Sequence, residues 1–259
     1  MFQGLPDTQN ESDHREIIID RVGVRELRYP IRYRDSKGIE QPTVAKFEIT
    51  VELPAHLKGT HMSRFVEVLH AFDQPLDSHS IRDLTETVAA RLQSDYAYVS
   101  CEFTVFREKI APVSGTKSLM DYELGLECHF SKANGFELFM GLEVPVTTLC
   151  PCSKAISERG AHNQRGNVTI SAKAELGLTF QELINLIEKS ASCELFSGLK
   201  RADEKAVTER AYDNPLFVED LARDVATGLT ANELVTWFRV EVENFESIHN
   251  HNAYAMIEA

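Results

Sequence analysis

The chain has 259 residues, 43% of them hydrophobic, and carries 27 Lys and Arg against 40 Asp and Glu, a formal net charge of −13. That length and apolar fraction suit one large packed core or two smaller ones. The negative surplus opposes broad binding to phosphate backbones and leaves only a local cationic cleft for a small anionic ligand. No run reaches the roughly 20 apolar residues of a membrane span. The polar start MFQGLPDTQNESDH lacks the apolar centre of a signal peptide. Five cysteines, an odd number, argue against a disulfide framework. A cytoplasmic protein with neither a membrane nor a nucleic-acid partner is expected.

Residues 1–14 are polar and are expected to be disordered. REIIIDRVGVRELRYPIRYRD and PTVAKFEITVEL, joined by a DSKG turn, then predict a β-hairpin rich in Val, Ile, Phe and Tyr. THMSRFVEVLHAF and DSHSIRDLTETVAARLQ switch to helical spacing. In the second, Ile81, Leu84, Val88 and Leu92 form one apolar stripe, with Ser78 or Ser80 as the expected cap. YAYVSCEFTVFREKI and KSLMDYELGLECHF return to strand, with Cys101 and Cys128 read as core residues.

The second half repeats the order with GFELFMGLEVPVTTL and GNVTISAKAEL as strands. TFQELINLIEKSASCEL and NPLFVEDLARDVATGL follow as helices, and ELVTWFRVEVENFES and NAYAMIEA as closing strands. Cys193 falls at the end of the first of those helices. In the second, Asn214 is the expected N-cap and Pro215 the first helical residue. More helix is expected in the charged FSGLKRADEKAVTERAYD between them. The fold class is therefore α+β, as tandem ββααββ modules over residues 15–132 and 133–259, with antiparallel sheets covered by helices on one face. Such sheets leave open edges, and pairing modules edge to edge in a closed ring would set sites between subunits.

Chemistry concentrates in TTLCPCSKAIS and the GAHNQRG that follows it. Cys150 and Cys152 flank Pro151 after a strand, where the chain is expected to turn into a loop, and His162 comes twelve positions after Cys150. Thiolate and imidazole suit zinc or ferrous iron, and three protein ligands with an open fourth position make a metal site catalytic. The bland reading is a buried Cys152, a surface Cys150 and a histidine held in a turn. In FESIHNHNA, Glu246, His249 and His251 crowd together, and two histidines on one face of an extended segment can share a pocket as proton donor and acceptor. A solvated turn is the alternative. Glu219, early in a helix, could accept the paired donors of a guanine edge. His61 and Arg64 in KGTHMSRF, with Lys154 and Arg165, could line a phosphate cleft, although each alone reads as ordinary surface charge. Glu204 sits in a charged run that reads as a solvated helix face. No Walker A loop, Gly-x-Gly-x-x-Gly or Gly-x-Ser-x-Gly occurs.

Together, GTHMSRF, EVPVTTLCPCSKAIS, GAHNQRG, NPLFVED and FESIHNHNA resemble the GTP cyclohydrolase IB family, in order and from about residue 15 to the end. The resemblance implies the tunnelling fold assembled as an oligomeric barrel. It also implies conversion of GTP and water to 7,8-dihydroneopterin triphosphate and formate, the first step of pterin and tetrahydrofolate synthesis. On the same analogy Cys150, His162 and Glu204 would hold one divalent metal, zinc, manganese or iron. Glu219 would anchor guanine, and Arg165, His61 and Arg64 would contact substrate. Glu246, His249 and His251 would act with Cys150 in catalysis, and the enzyme would be a homotetramer with intersubunit sites. Two rivals stand beside it. One is a tunnelling-fold enzyme using Cys150 or Cys152 as nucleophile on a pterin or deazapurine; the other is a non-catalytic purine or pterin binder with a structural metal.

Overall fold

The computed structural model describes residues 7–259. Two compact units divide the chain: the first takes the described residues up to Arg34 with Gly38–Phe103 and Gly125–Phe139, and the second takes Asp35–Lys37, Thr104–Leu124 and Met140–Ala259. The expected module boundary, between residues 132 and 133, falls in the turn before Gly135.

In the first unit, β1 (Ile19–Arg34) and β2 (Glu40–Leu53) form the expected antiparallel hairpin. Asp35 closes its turn by accepting from Lys37 N at 2.9 Å, and Gly38 supplies a φ of 79°. β2 pairs antiparallel with β3 (Tyr96–Ile110), and the strand order continues through β4 (Lys117–Ser131) to β5 (Gly135–Leu149). Strand alternation decides what is buried: Phe47, Ile49 and Val51 on β2 and Val99, Cys101 and Phe103 on β3 face the core. Phe65 and Leu69 of α1 (Met62–Ala71) and Ile81, Leu84 and Val88 of α2 (Ser78–Leu92) are buried as well.

Asp77, rather than Ser78 or Ser80, caps α2. Its carboxylate accepts from His79 N and Ser80 N, and Ser80 Oγ accepts from Asp77 N to complete a capping box. Cys128 is buried as expected, and burial pushes its thiol up to about 11. Residues 7–14 differ from the expected disorder: Thr8–Asn10 make a 3₁₀ turn, Gln9 Nε2 donates to Thr60 O at 3.0 Å, and Ser12 bridges Leu57. Their backbone partners lie in the loop before α1, a contact that composition does not reveal. Residues 1–6 lie outside the described residues.

In the second unit the order is β3-β4-β5-β6-β8-β9, with β6 at Asn163–Ala174, β8 at Val235–Asn244 and β9 at Ala253–Glu258. Helices α4 (Phe180–Ser190) and α6 (Val218–Thr230) bury Leu183, Ile184, Ile187, Leu221, Val225 and Leu229, packing on each other and, through α6, on β8 and β9. Three further elements are added to a plain ββααββ repeat. Pro151 opens a helix, α3 (Pro151–Ile156), where a loop was expected, because Cys150 sits at its N-cap and proline suits the first helical position. Cys193 lies not in the helix but on β7 (Cys193–Glu194), opposite Thr147 of β5. The charged run folds as α5 (Arg201–Asp213).

Asn214 is the C-cap of α5, and α6 starts three residues later than expected, behind Phe217. Leu216 N donates to Leu149 O at 3.1 Å, so residues around it run alongside the end of β5 instead of opening a helix. Asp220 accepts from Phe217 N and so satisfies the new helix start.

Two polar clusters tie this unit together. Lys109, 6% exposed, pairs with Glu188 at 2.9 Å and with Glu194, while Tyr122 donates to Glu188 at 2.6 Å. Burial, followed by the neighbouring Glu188, pushes the Tyr122 phenol far above its ordinary range, so it stays a donor. Asp203 is fully buried at the start of α5 and accepts from Val113 N, Ser114 N, Ser114 Oγ and Lys200 N. Burial alone would raise its carboxyl, yet these donors together hold it well below the ordinary carboxylate range.

Candidate active site

The end of β5 delivers Leu149 with its N–H bonded to the buried Ser192 Oγ at 3.1 Å. Cys150 then caps α3: its Sγ accepts from Ser153 N at 3.5 Å and its carbonyl from Ser153 Oγ at 3.1 Å. The same Ser153 hydroxyl accepts from His162 N, and Cys150 N donates to His162 O, both at 3.1 Å. The chain therefore returns beside its departure point, and Cys150 and His162 lie side by side despite twelve intervening steps. Cys152, the second residue of α3, is exposed.

His162 is half-buried at the threshold of β6. Its Nδ1 lies 3.0 Å from Gln164 Oε1 and 3.7 Å from Glu246 Oε2. Glu246 arrives from β8, whose register sets Gly166 opposite Asn244. A Cβ at position 166 would meet Asn244 Oδ1 at 2.6 Å and Glu243 O at 2.8 Å, so only glycine permits this approach. Just beyond the pairing, Phe245 N donates to Arg165 O at 2.9 Å, which sets Glu246 next to the His162 ring.

The β8–β9 loop folds back over the same place: the His249 ring stands edge-on to His162 at 6.4 Å and stacks on His251 at 5.1 Å. Four titratable groups from two segments over 80 residues apart thus form one cluster, His162, Glu246, His249 and His251. Histidines at this spacing can pass protons at neutral pH, and a carboxylate beside them accepts a ring N–H.

Other expected residues lie at varied distances from this cluster. Glu219 is exposed in the first turn of α6, three residues after Leu216, which is bonded to Leu149. Arg165 is exposed between Gln164 and Gly166. Lys154 is engaged by the Tyr212 carbonyl and sits 4.2 Å over that ring. Glu204 is exposed near the start of α5, eight positions or about 12 Å of helix from Tyr212. Among the described residues no three His, Cys, Asp or Glu side chains are gathered as a metal would require. His61, with Asp7 Oδ2 3.4 Å from its Nε2, and Arg64 lie at the start of α1 in the first unit.

Sequence reasoning passed over Gln164, Thr148 and Ser153. An i, i+2 relation to His162 in an extended strand was the available signal for Gln164.

A model of the family described as type I GTP cyclohydrolase FolE2 matches residues 5–255. The chain belongs to that family. It is 51% identical over 256 residues to the GTP cyclohydrolase FolE2 of Vesicomyosocius okutanii, covering 98% of this chain and 97% of the relative. With the GTP cyclohydrolase FolE2 of Akkermansia muciniphila it shares 52% identity over 259 residues, with 99% and 98% covered. Among solved structures, uricase from Arthrobacter globiformis aligns over 93% of this chain and 92% of its own at a TM-score of 0.54 and 9% identity. That likeness is one of fold: a mixed α+β tunnelling-type architecture built on antiparallel sheet, as expected. The family match agrees with the type I cyclohydrolase resemblance and names the FolE2 kind; the IB designation goes beyond it. No helix among the described residues is long and apolar enough to cross a membrane.

Proposed function

We propose that this GTP cyclohydrolase of the folate pathway is a metal-dependent, type IB enzyme that opens the imidazole ring of GTP at C8 and releases formate, giving 7,8-dihydroneopterin triphosphate. The observation that carries the reading is the joining of His162, Glu246, His249 and His251 beside Cys150. Guanine C8 is a poor electrophile until N7 is protonated, and a histidine positioned to give that proton is worth roughly 10²–10⁴ in rate. Water adds to C8, the C8–N bonds break in two hydrolytic stages, and formate leaves. His249 and His251 supply and recover the protons, with Glu246 accepting from an imidazole N–H. The later ribose rearrangement and ring closure need only further proton transfers, so the same pair serves again.

The donor chemistry suits zinc, manganese or iron in one divalent site per subunit. Cys150 offers a thiol and His162 an imidazole whose Nδ1 is already occupied by acceptors, leaving Nε2 as the donor atom. Glu204 is the proposed third ligand, brought up in an assembled homotetramer with intersubunit sites. When bound, such an ion lowers the pKa of water from about 15.7 toward about 7. Glu219 anchors the guanine N1–H and amino group with its two carboxylate oxygens. Arg165, His61 and Arg64 neutralise the triphosphate.

The test is to incubate the purified protein with GTP and Zn²⁺, Mn²⁺ or Fe²⁺ in turn, then oxidise and read neopterin fluorescence. A rise with at least one metal, abolished by chelator, is expected. Turnover that survives chelation would favour a cysteine nucleophile, and a flat trace with every metal would favour a non-catalytic purine binder.

A further inference from the structure

Two acceptors converge on one nitrogen of His162: Gln164 Oε1 at 3.0 Å and Glu246 Oε2 at 3.7 Å both face Nδ1. Neither an amide oxygen nor a carboxylate can donate, so the neutral ring carries its proton on Nδ1 and keeps its lone pair on Nε2. Thr148 is the second partner of the Gln164 amide. Gln164 Nε2 donates to Thr148 Oγ1 at 2.9 Å, with Oε1 toward the ring. Thr148 is fully buried and Gln164 only 9% exposed. The Thr148 hydroxyl can accept or donate, so it is the Glu246 carboxylate, able only to accept, that places the proton on Nδ1; Gln164 then presents Oε1 to that N–H and Nε2 to Thr148, and the groups form a chain with one direction. Backbone geometry supports the arrangement: His162 and Gln164 are two residues apart at the start of β6, so their side chains share a face.

We propose that Gln164, oriented by Thr148, is a positioning residue that locks His162 in the Nδ1–H tautomer and so makes Nε2 the atom offered to a cation. This rests on the reading of His162 as a metal ligand given above. Partners that orient ligand imidazoles in this way are worth about 10–100-fold in metal affinity.

The test uses full-length protein labelled with ¹⁵N at histidine, stripped of metal, with the His162 tautomer read from long-range ¹H–¹⁵N correlations. Zinc affinity is measured separately by competition with a chromophoric chelator. Wild type is expected to show the Nδ1–H tautomer. Gln164→Leu and the nearly isosteric Thr148→Val should give mixed tautomers and zinc affinity about 10–100-fold weaker. Thr148→Ser, which keeps the hydroxyl, should behave as wild type. Circular dichroism and elution volume identify any variant that misfolds, and because the two substitutions perturb packing differently, the folded one decides the matter. A wild-type tautomer and zinc affinity in Gln164→Leu or Thr148→Val would overturn the proposal. If the tautomer moves as expected while His162→Ala binds zinc as wild type does, the positioning role stands and the metal reading of His162 falls.

Discussion

Replacing Lys109 with methionine tests the frame on which the site is hung. Lys109 Nζ is buried between Glu188 at 2.9 Å and Glu194, and Glu194 belongs to β7, which pairs with the end of β5 just before Cys150. Removing one partner of a buried ion cluster costs about 3–5 kcal/mol because the remaining charge is left without compensation. Here the low end applies. Glu188 keeps the Tyr122 hydroxyl, and Glu194 keeps Arg210 at 3.5 Å, so each carboxylate retains one donor. A loss of about 3 kcal/mol corresponds to a fall in melting temperature of about 6–12 °C for a chain near this size. Scanning calorimetry of Lys109→Met at pH 7 measures it, beside Lys109→Met/Glu188→Gln/Glu194→Gln, in which no unpaired charge remains. The triple variant should recover at least half of the deficit, since neutral replacements of a buried ion cluster are often tolerated. A single variant within 2 °C of wild type, or a triple variant less stable than the single, would refute the argument.

Cys150→Ala or His162→Ala should abolish metal binding, read by elemental analysis of protein purified without chelator, while leaving the elution volume and circular dichroism unchanged; collapse of the fold would mean the pair is structural. His251→Ala should keep its metal yet lose about 10²-fold or more of turnover in the neopterin assay. Glu219→Gln should weaken GTP binding by calorimetry with metal content unchanged. For Asp203, the depressed carboxyl means stability that is complete above the unfolded carboxylate range and is lost as pH falls through the lower folded value. The margin of wild type over Asp203→Asn in urea titrations should therefore be constant from pH 7 to about pH 5 and narrow below about pH 4, near the unfolded carboxyl range. A margin that widens on acidification would contradict that sign.

Much of the fold was legible because it depends on short-range patterns. Segments rich in Val, Ile, Phe and Tyr joined by a DSKG turn located the β1–β2 hairpin, and the Ile81, Leu84 and Val88 stripe located α2. Cap positions were less legible. Ser80 and Asp77 are both good caps, and only the hydrogen bonds to His79 N and Ser80 N choose between them. Asn214 followed by Pro215 is a sound local helix start, overridden because Leu216 N is taken by the Leu149 carbonyl, a partner 67 positions away.

The residues of the candidate site could be named from their types and order: a thiol and an imidazole after a strand, a histidine pair near the end of the chain. Their convergence could not. Cys150 meets His162 because one serine hydroxyl bonds both backbones, and Glu246 reaches the His162 ring because β6 and β8 pair with Gly166 opposite Asn244. Local preference acts over a few residues, whereas strand register is settled by burying one face of both strands at once across some 80 positions, and a slip of one residue would turn Glu246 to the opposite side.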